Sequence, residues 1–458
     1  MNALLVSALF GVVLMFASFL LHNKSAVRLL ATAGMGLLLL LNLAELQGWT
    51  LLSINTEGML RFDRYALVFN SVILFAVFLY LLLSGKEMEK VGNYQGDYLA
   101  LLFFITAGMM MVTAFESLLI LFLGIEIISI PLYILTGSDK RNLKSNEASL
   151  KYFLLGSFST GLFLMGVALV YGAKGSFATS VAVDAARVSG ALLLAGMLVI
   201  FFAMSFKVSA VPFHFWTPDV YDGAPTVFTS FMATVVKASV FAAFIRLFDE
   251  TFGAQQGSWQ LWIAVITALT LLVGNLTAVF QQSVKRMLAY SSIAQAGFMF
   301  LALYGMNTIA KEGLLLYAAS YSLATIGIFA VLSRVTDYTY EGFNGLAKKE
   351  PLVAAALTIF FLSLAGIPLT GGFMAKLFMI KAALSFNLYL ALFAVLMAAV
   401  SVYYYFRVIQ AMYFRLAEEE ASVAPFPGGF KFVLLLTAAL LIVLGLFPET
   451  LLSLFYFQ

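Results

Sequence analysis

The sequence predicts an all-α polytopic membrane protein with about 14 transmembrane helices. Three observations carry that expectation. Apolar runs of about 20 residues recur along the whole 458-residue chain, each long enough to cross a bilayer as a helix. Hydrophobic residues make up 62% of the chain and charged residues only 11%, against about a quarter charged in a soluble domain. Two of the runs are too long for a straight crossing and carry proline near the middle, the pattern of discontinuous membrane helices.

The predicted spans fall at 3–21, 26–46, 65–84, 98–114, 117–136, 148–172, 189–218, 225–248, 259–280, 285–305, 312–333, 351–385, 387–413 and 429–447. The first is apolar almost from Met1 and lacks the basic stretch and small-residue cleavage site of a signal peptide, so it counts as a span. The seventh is interrupted by Pro212, and the twelfth by Pro368 and the Gly371-Gly372 pair. Loops after odd-numbered spans carry about 14 Lys and Arg, Lys285 and Arg286 among them, and loops after even-numbered spans about half as many. The positive-inside rule then puts the odd loops in the cytoplasm and both termini outside.

Composition also excludes. The chain has no cysteine, which removes iron–sulfur clusters, thiolate metal sites, disulfides and cysteine-linked haem. His22 and His214 are its only histidines, too few for a dihaem or a typical zinc site. No cofactor or metal is expected in this chain, and redox chemistry must lie elsewhere. A net charge of +3 spread over loops gives no reason to expect nucleic acid. No substrate-sized polar cluster marks a metabolite pocket.

Four charges stand inside the apolar runs: Glu126, Lys207, Lys237 and Lys376. A charge at a membrane helix centre costs roughly 3 kcal/mol on insertion scales, so such residues point to function. By the predicted topology the lysines form an inside-to-outside series, Lys207 towards the cytoplasm, Lys237 central and Lys376 beyond the Pro368 break. Burial lowers a lysine's proton affinity and a nearby carboxylate restores it, so one movable acid beside several lysines suits proton transfer. Blander readings stand beside this one. Lys207 and Lys376 can snorkel to an interface, Glu126 can be a static salt-bridge partner, and Glu147 with Lys151 fits an ordinary i,i+4 surface pair. His214, just after Pro212, is either a satisfied polar residue or a relay between Lys207 and Lys237.

Three motifs add a resemblance. Residues 206–226 (FKVSAVPFHFWTPDVYDGAPT), 284–293 (VKRMLAYSSI) and 363–373 (SLAGIPLTGGF, followed by Lys376) resemble the signature of the antiporter-like membrane subunits of respiratory complex I, which Mrp-type cation/proton antiporters share. Residues 147–158 (EASLKYFLLGSF), a lysine at position 376, and a chain that stops soon after its fourteenth span are most similar to the subunit N branch.

The resemblance implies N-terminal spans over 1–97, two inverted five-helix repeats over 98–248 and 249–413, and a last span within 414–458. It implies a Glu126–Lys207 pair, a central relay at Lys237 and an outer lysine at Lys376. Family members often carry histidine where this chain has Gln295, which cannot titrate near neutral pH, so water or Tyr290 is expected to serve there. The implied activity is that of a non-redox subunit of a proton-translocating NADH:quinone oxidoreductase. NADH, FMN, iron–sulfur clusters and quinone would belong to partner subunits. The partners would be other membrane-arm subunits, the lipid bilayer and protons, in a bacterial inner membrane with periplasmic termini. The alternatives are a subunit of an Mrp-type Na⁺/H⁺ antiporter or membrane-bound hydrogenase, and a structural subunit that no longer pumps.

Overall fold

The structure, a computed structural model, describes residues 1–20, 23–52, 55–92, 94–179, 190–416 and 426–454. Its helices are α1 (Asn2–Leu20), α2 (Lys24–Leu46), α3 (Arg64–Ser84), α4 (Gln95–Ala114), α5 (Leu118–Thr136), α6 (Leu143–Lys174), α7 (Gly190–Lys207), α8 (Trp216–Gly223), α9 (Thr226–Ala233), α10 (Val235–Glu250), α11 (Gln256–Val279), α12 (Val284–Gly305), α13 (Thr308–Leu332), α14 (Leu346–Lys349), α15 (Pro351–Ala365), α16 (Gly371–Leu384), α17 (Leu388–Phe414), α18 (Gly428–Leu446) and α19 (Glu449–Leu452). Among the described residues 13 helical segments are long and apolar enough to cross a membrane, α9 and α10 together forming one. The twelfth expected span is divided into α15, a shorter apolar helix, and α16.

Local chemistry sets the ends. Asn23, Asp63, Ser117, Asn142, Ser283, Asn307 and Asn387 each stand just before a helix and accept hydrogen bonds from its first free N–H groups. In hydrocarbon those donors have no water to turn to, so the caps matter more than in a soluble protein. Small residues then allow close crossings: Gly166 on α6 and Gly196 on α7 sit face to face, and a Cβ on either would press on the other's carbonyl oxygen.

The bundle is layered. α9–α10, α12 and α13 are buried almost throughout, whereas α1, α2 and α18 lie on the outside of the bundle with most of their residues at least partly exposed. The innermost helices thus include the one that carries Lys237. At the end of α10, Arg246 is buried and binds Asp63 and Glu116, while Arg61 bridges Asp63, Glu116 and Glu250. This charged clamp ties the segment before α3 to the core, and sequence patterning gave no sign of it because its members lie up to 189 residues apart.

The expected breaks are real, with freed backbone groups satisfied from neighbouring helices, as a low-dielectric interior demands. In the first, α7 stops at Lys207 and α8 begins at Trp216. The Val211 N–H donates to Thr270 Oγ1 of α11 (3.0 Å), and Trp216 Nε1 donates to the Phe206 carbonyl (3.1 Å). In the second, Gly366 takes the left-handed conformation (φ 83°) that ends α15. The chain restarts at Gly371, and a side chain at Gly372 would collide with the Ser363 carbonyl oxygen. A third interruption was not expected. The eighth span is divided at Thr234, whose φ of −109° and ψ of −91° are not helical and whose Oγ1 donates to the Ser230 carbonyl (2.7 Å). No proline or glycine marks it.

Candidate functional site

Each of the four intramembrane charges stands on or just after an interrupted helix, or faces one. Lys207 is the last residue of α7, and its Nζ donates to Ser129 Oγ on α5 (3.0 Å). Glu126, one turn earlier on α5, accepts from Thr160 Oγ1 of α6 (2.7 Å), and Lys207 Nζ lies 3.4 Å from that same oxygen. Both charged residues are half-buried, and among the described residues they form no direct ion pair. Thr160 stands between them. Loss of this bridge by Thr160→Val is expected to slow coupled proton transport about tenfold, the equivalent of roughly 1.4 kcal/mol, with assembly intact. Transport by the purified assembly in vesicles is the check; an unchanged rate would remove Thr160 from the path.

Lys237 lies three residues past the Thr234 interruption and is only 1% exposed. Its Nζ donates to the carbonyl (2.7 Å) and the hydroxyl of Ser292 on α12. Next along that helix, Ser291 Oγ pairs with Tyr405 Oη of α17. Gln295 Nε2 donates to the same Tyr405 oxygen and to the Leu364 carbonyl, each at 3.0 Å, and Gln295 Oε1 accepts from Tyr317 Oη of α13.

Lys376 reaches the other side of this group. It is 4% exposed and donates to the carbonyls of Leu364 (2.8 Å) and Ala365 (3.0 Å), the last of α15. A broken helix leaves its final carbonyls without partners and gives that end a partial negative charge, so an ammonium is well placed there. Gln295 and Lys376 therefore share one acceptor. Beside them lies a small cavity of about 10 Å³, lined by Gln295, Tyr317, Tyr321, Ser363 and Lys376, with room for about one water.

Lys285 is a further buried lysine, 2% exposed, although the sequence placed it among the loop charges. It donates to the Asp222 (2.9 Å) and Ala224 (2.7 Å) carbonyls where α8 ends, and lies over the Tyr338 ring. Lys285 and Lys376 thus do the same thing, each closing the carbonyl end of a short half-helix.

The remaining expected residues fare unevenly. Glu147 and Lys151 do pair (2.7 Å), but Lys151 also binds Asp219 (2.9 Å), which Arg286 approaches at 3.3 Å, so the pair belongs to a larger charged group. Tyr290 is half-buried and takes no part in the hydrogen bonds around Gln295; Tyr317 and Tyr405 fill that place. His214 is buried with Nδ1 unpartnered, and among the described residues it bonds neither Lys207 nor Lys237. No hydrogen bond joins the Lys207 group to Lys237 among those residues either. Ser205 and Ser209, which flank Lys207, and Ser230 on α9 are buried hydroxyls without partners among the described residues, as are Ser320 and Ser322 on α13. Native interiors pair nearly all such groups with protein or ordered water.

A bundle with discontinuous helices and lysines on their ends has the features of an ion-translocating membrane subunit. The family model for the NADH:quinone oxidoreductase/Mrp antiporter membrane region matches residues 115–401. NADH-quinone oxidoreductase subunit N of Cytophaga hutchinsonii is 38% identical over 99% of this chain and 99% of its own. A chain of respiratory complex I from Thermus thermophilus, solved with aureothin, superposes with a TM-score of 0.85 at 33% identity over 98% of each chain. A chain of the Mrp complex from Dietzia has a TM-score of 0.84 at 20% identity, a likeness of fold alone. The chain belongs to the antiporter-like membrane subunits of complex I, in the subunit N branch.

Proposed function

We propose that this chain translocates protons in the membrane arm of a bacterial NADH–quinone oxidoreductase, through Glu126, Lys207, Lys237 and Lys376. The observation that carries the reading is the placement of two hydrogen-bonded groups side by side on α12: Lys237 on Ser292, and from the adjacent Ser291 a run through Tyr405 and Gln295 to the Leu364 carbonyl that Lys376 shares. A carbonyl that accepts two donors cannot itself pass a proton. The small cavity beside it supplies the position where a water would complete the step.

The chain carries no electron. Redox energy released by NADH, FMN, iron–sulfur clusters and quinone in partner subunits would arrive as a shift of the Glu126–Lys207 pair across Thr160. A proton from Lys207 would pass to Lys237 by way of water at the unpartnered hydroxyls, and then to Lys376 for release. Residues 98–248 and 249–413 would form the two inverted repeats, with both termini on the periplasmic face and the cytoplasmic face carrying most of the loop Lys and Arg. The neighbours would be other antiporter-like and small membrane subunits.

Tyr405→Phe tests the run itself. It removes the hydroxyl that joins Ser291 to Gln295 and leaves the ring packing. Pumping in vesicles is expected to fall about tenfold, the kinetic equivalent of one hydrogen bond, while the complex stays assembled with its flavin and clusters. Wild-type pumping by the variant would rule out this path.

A further inference from the structure

A cavity of about 390 Å³ lies outside the proton path, within the size range of small-ligand sites. Its floor is α3 and α13, where Val72, Phe75 and Leu323 face inward; α2 and α18 form the walls, and Leu454 closes one end. Val443, on the wall, and Leu40 and Leu436 on the same two helices are exposed apolar residues, so the cavity adjoins the apolar outer face of the bundle. Both hydroxyls that line it are already used. Ser71 Oγ donates to the Leu67 carbonyl and accepts from Asn42 Nδ2 (both 2.9 Å), and Thr450 Oγ1 donates to the Phe447 carbonyl (2.7 Å). Nothing inside can bind a polar ligand; only a hydrocarbon chain is matched by such walls.

The rim has the opposite character. Arg64, the first residue of α3, is exposed, and its Nε donates to the carbonyl of Leu454 (3.0 Å), the residue that closes the cavity. A guanidinium has five N–H donors in a planar fork that suits phosphate, so donors remain after that one bond. From Arg64 to Ser71 on the floor is about 10 Å along the helix, a cation at the entrance and hydrocarbon below. We propose that this cavity binds one acyl chain of a membrane phospholipid whose phosphate is held by Arg64. The floor helix α13 carries Tyr317 and Tyr321 as well, so a lipid here would support a helix of the relay from behind.

The test uses the whole complex in vesicles of phosphatidylethanolamine and phosphatidylglycerol, with a trace of phosphatidylglycerol bearing a photoreactive group midway along one acyl chain. After illumination, the labelled peptides are mapped by mass spectrometry. Labelling is expected to concentrate on Val72, Phe75, Leu323 and Leu444, well above the lipid-facing Leu392 of α17. It should drop to the Leu392 level in Ala76→Phe or Leu440→Trp, two separate ways of filling the space. It should weaken in Arg64→Gln. Labelling no stronger than at Leu392, or unchanged in both filled variants, would overturn the proposal. So would displacement of the probe by an isoprenoid quinone but not by unlabelled phosphatidylglycerol, or indifference to Arg64→Gln.

Discussion

Replacing Lys237 with alanine is expected to leave the complex assembled and to reduce its proton pumping sharply. The side chain is buried on an innermost helix and serves Ser292 alone among the bonds of its ammonium, so no framework contact depends on it. Removal of a buried cation also relieves its desolvation cost, which keeps the loss of stability small. The transport effect is of another size. A positioned proton-transfer group contributes roughly 10²–10⁴-fold to the step it serves. Co-purification with the redox subunits reads assembly, and acidification inside inverted vesicles reads pumping.

Lys376→Ala is expected to remove two things together. Proton release would fail, as with Lys237. The carbonyls of Leu364 and Ala365 would also lose an ammonium donor at the end of α15, with a cost of about 1–3 kcal/mol for a buried group left unsatisfied. Lower thermal stability should therefore accompany lost pumping. Lys376→Arg separates the two: it restores the donors but does not release a proton at physiological pH, so stability should return without transport. Pumping by the arginine variant would mean that Lys376 serves only as a cap.

How much of this was legible depended on what each residue must do locally. The charges Glu126, Lys207, Lys237 and Lys376 stood out because hydrocarbon makes them costly wherever they point. The breaks at 208–215 and 366–370 stood out because proline and glycine act on the backbone itself. Thr234 was invisible because its break comes from a hydroxyl competing for the Ser230 carbonyl, a contact that threonines in intact helices also make. Lys285 was misplaced because a cation beside Arg286 at a helix start looks like a loop charge; its carbonyl partners on Asp222 and Ala224 come from the fold. Tyr317 and Tyr405 were passed over among 20 tyrosines, most of which need no role beyond packing. Tyr290 was favoured through its nearness in sequence to Gln295, but helical geometry turns it away from that group. Asp219 joined Lys151 from 68 residues away, a separation no pairing rule covers.

The central claim is that a proton passes through Lys237, and the ratio of protons pumped to NADH oxidised tests it most directly. The measurement is made on the assembled complex in sealed proteoliposomes carrying Lys237→Arg. Arginine keeps the positive charge and can still donate to Ser292, but it holds its proton throughout the physiological range. The expected result is a clear fall in protons moved per NADH, with assembly preserved. A ratio equal to that of the unaltered complex would contradict the claim and leave Lys237 as a fixed charge in the bundle core.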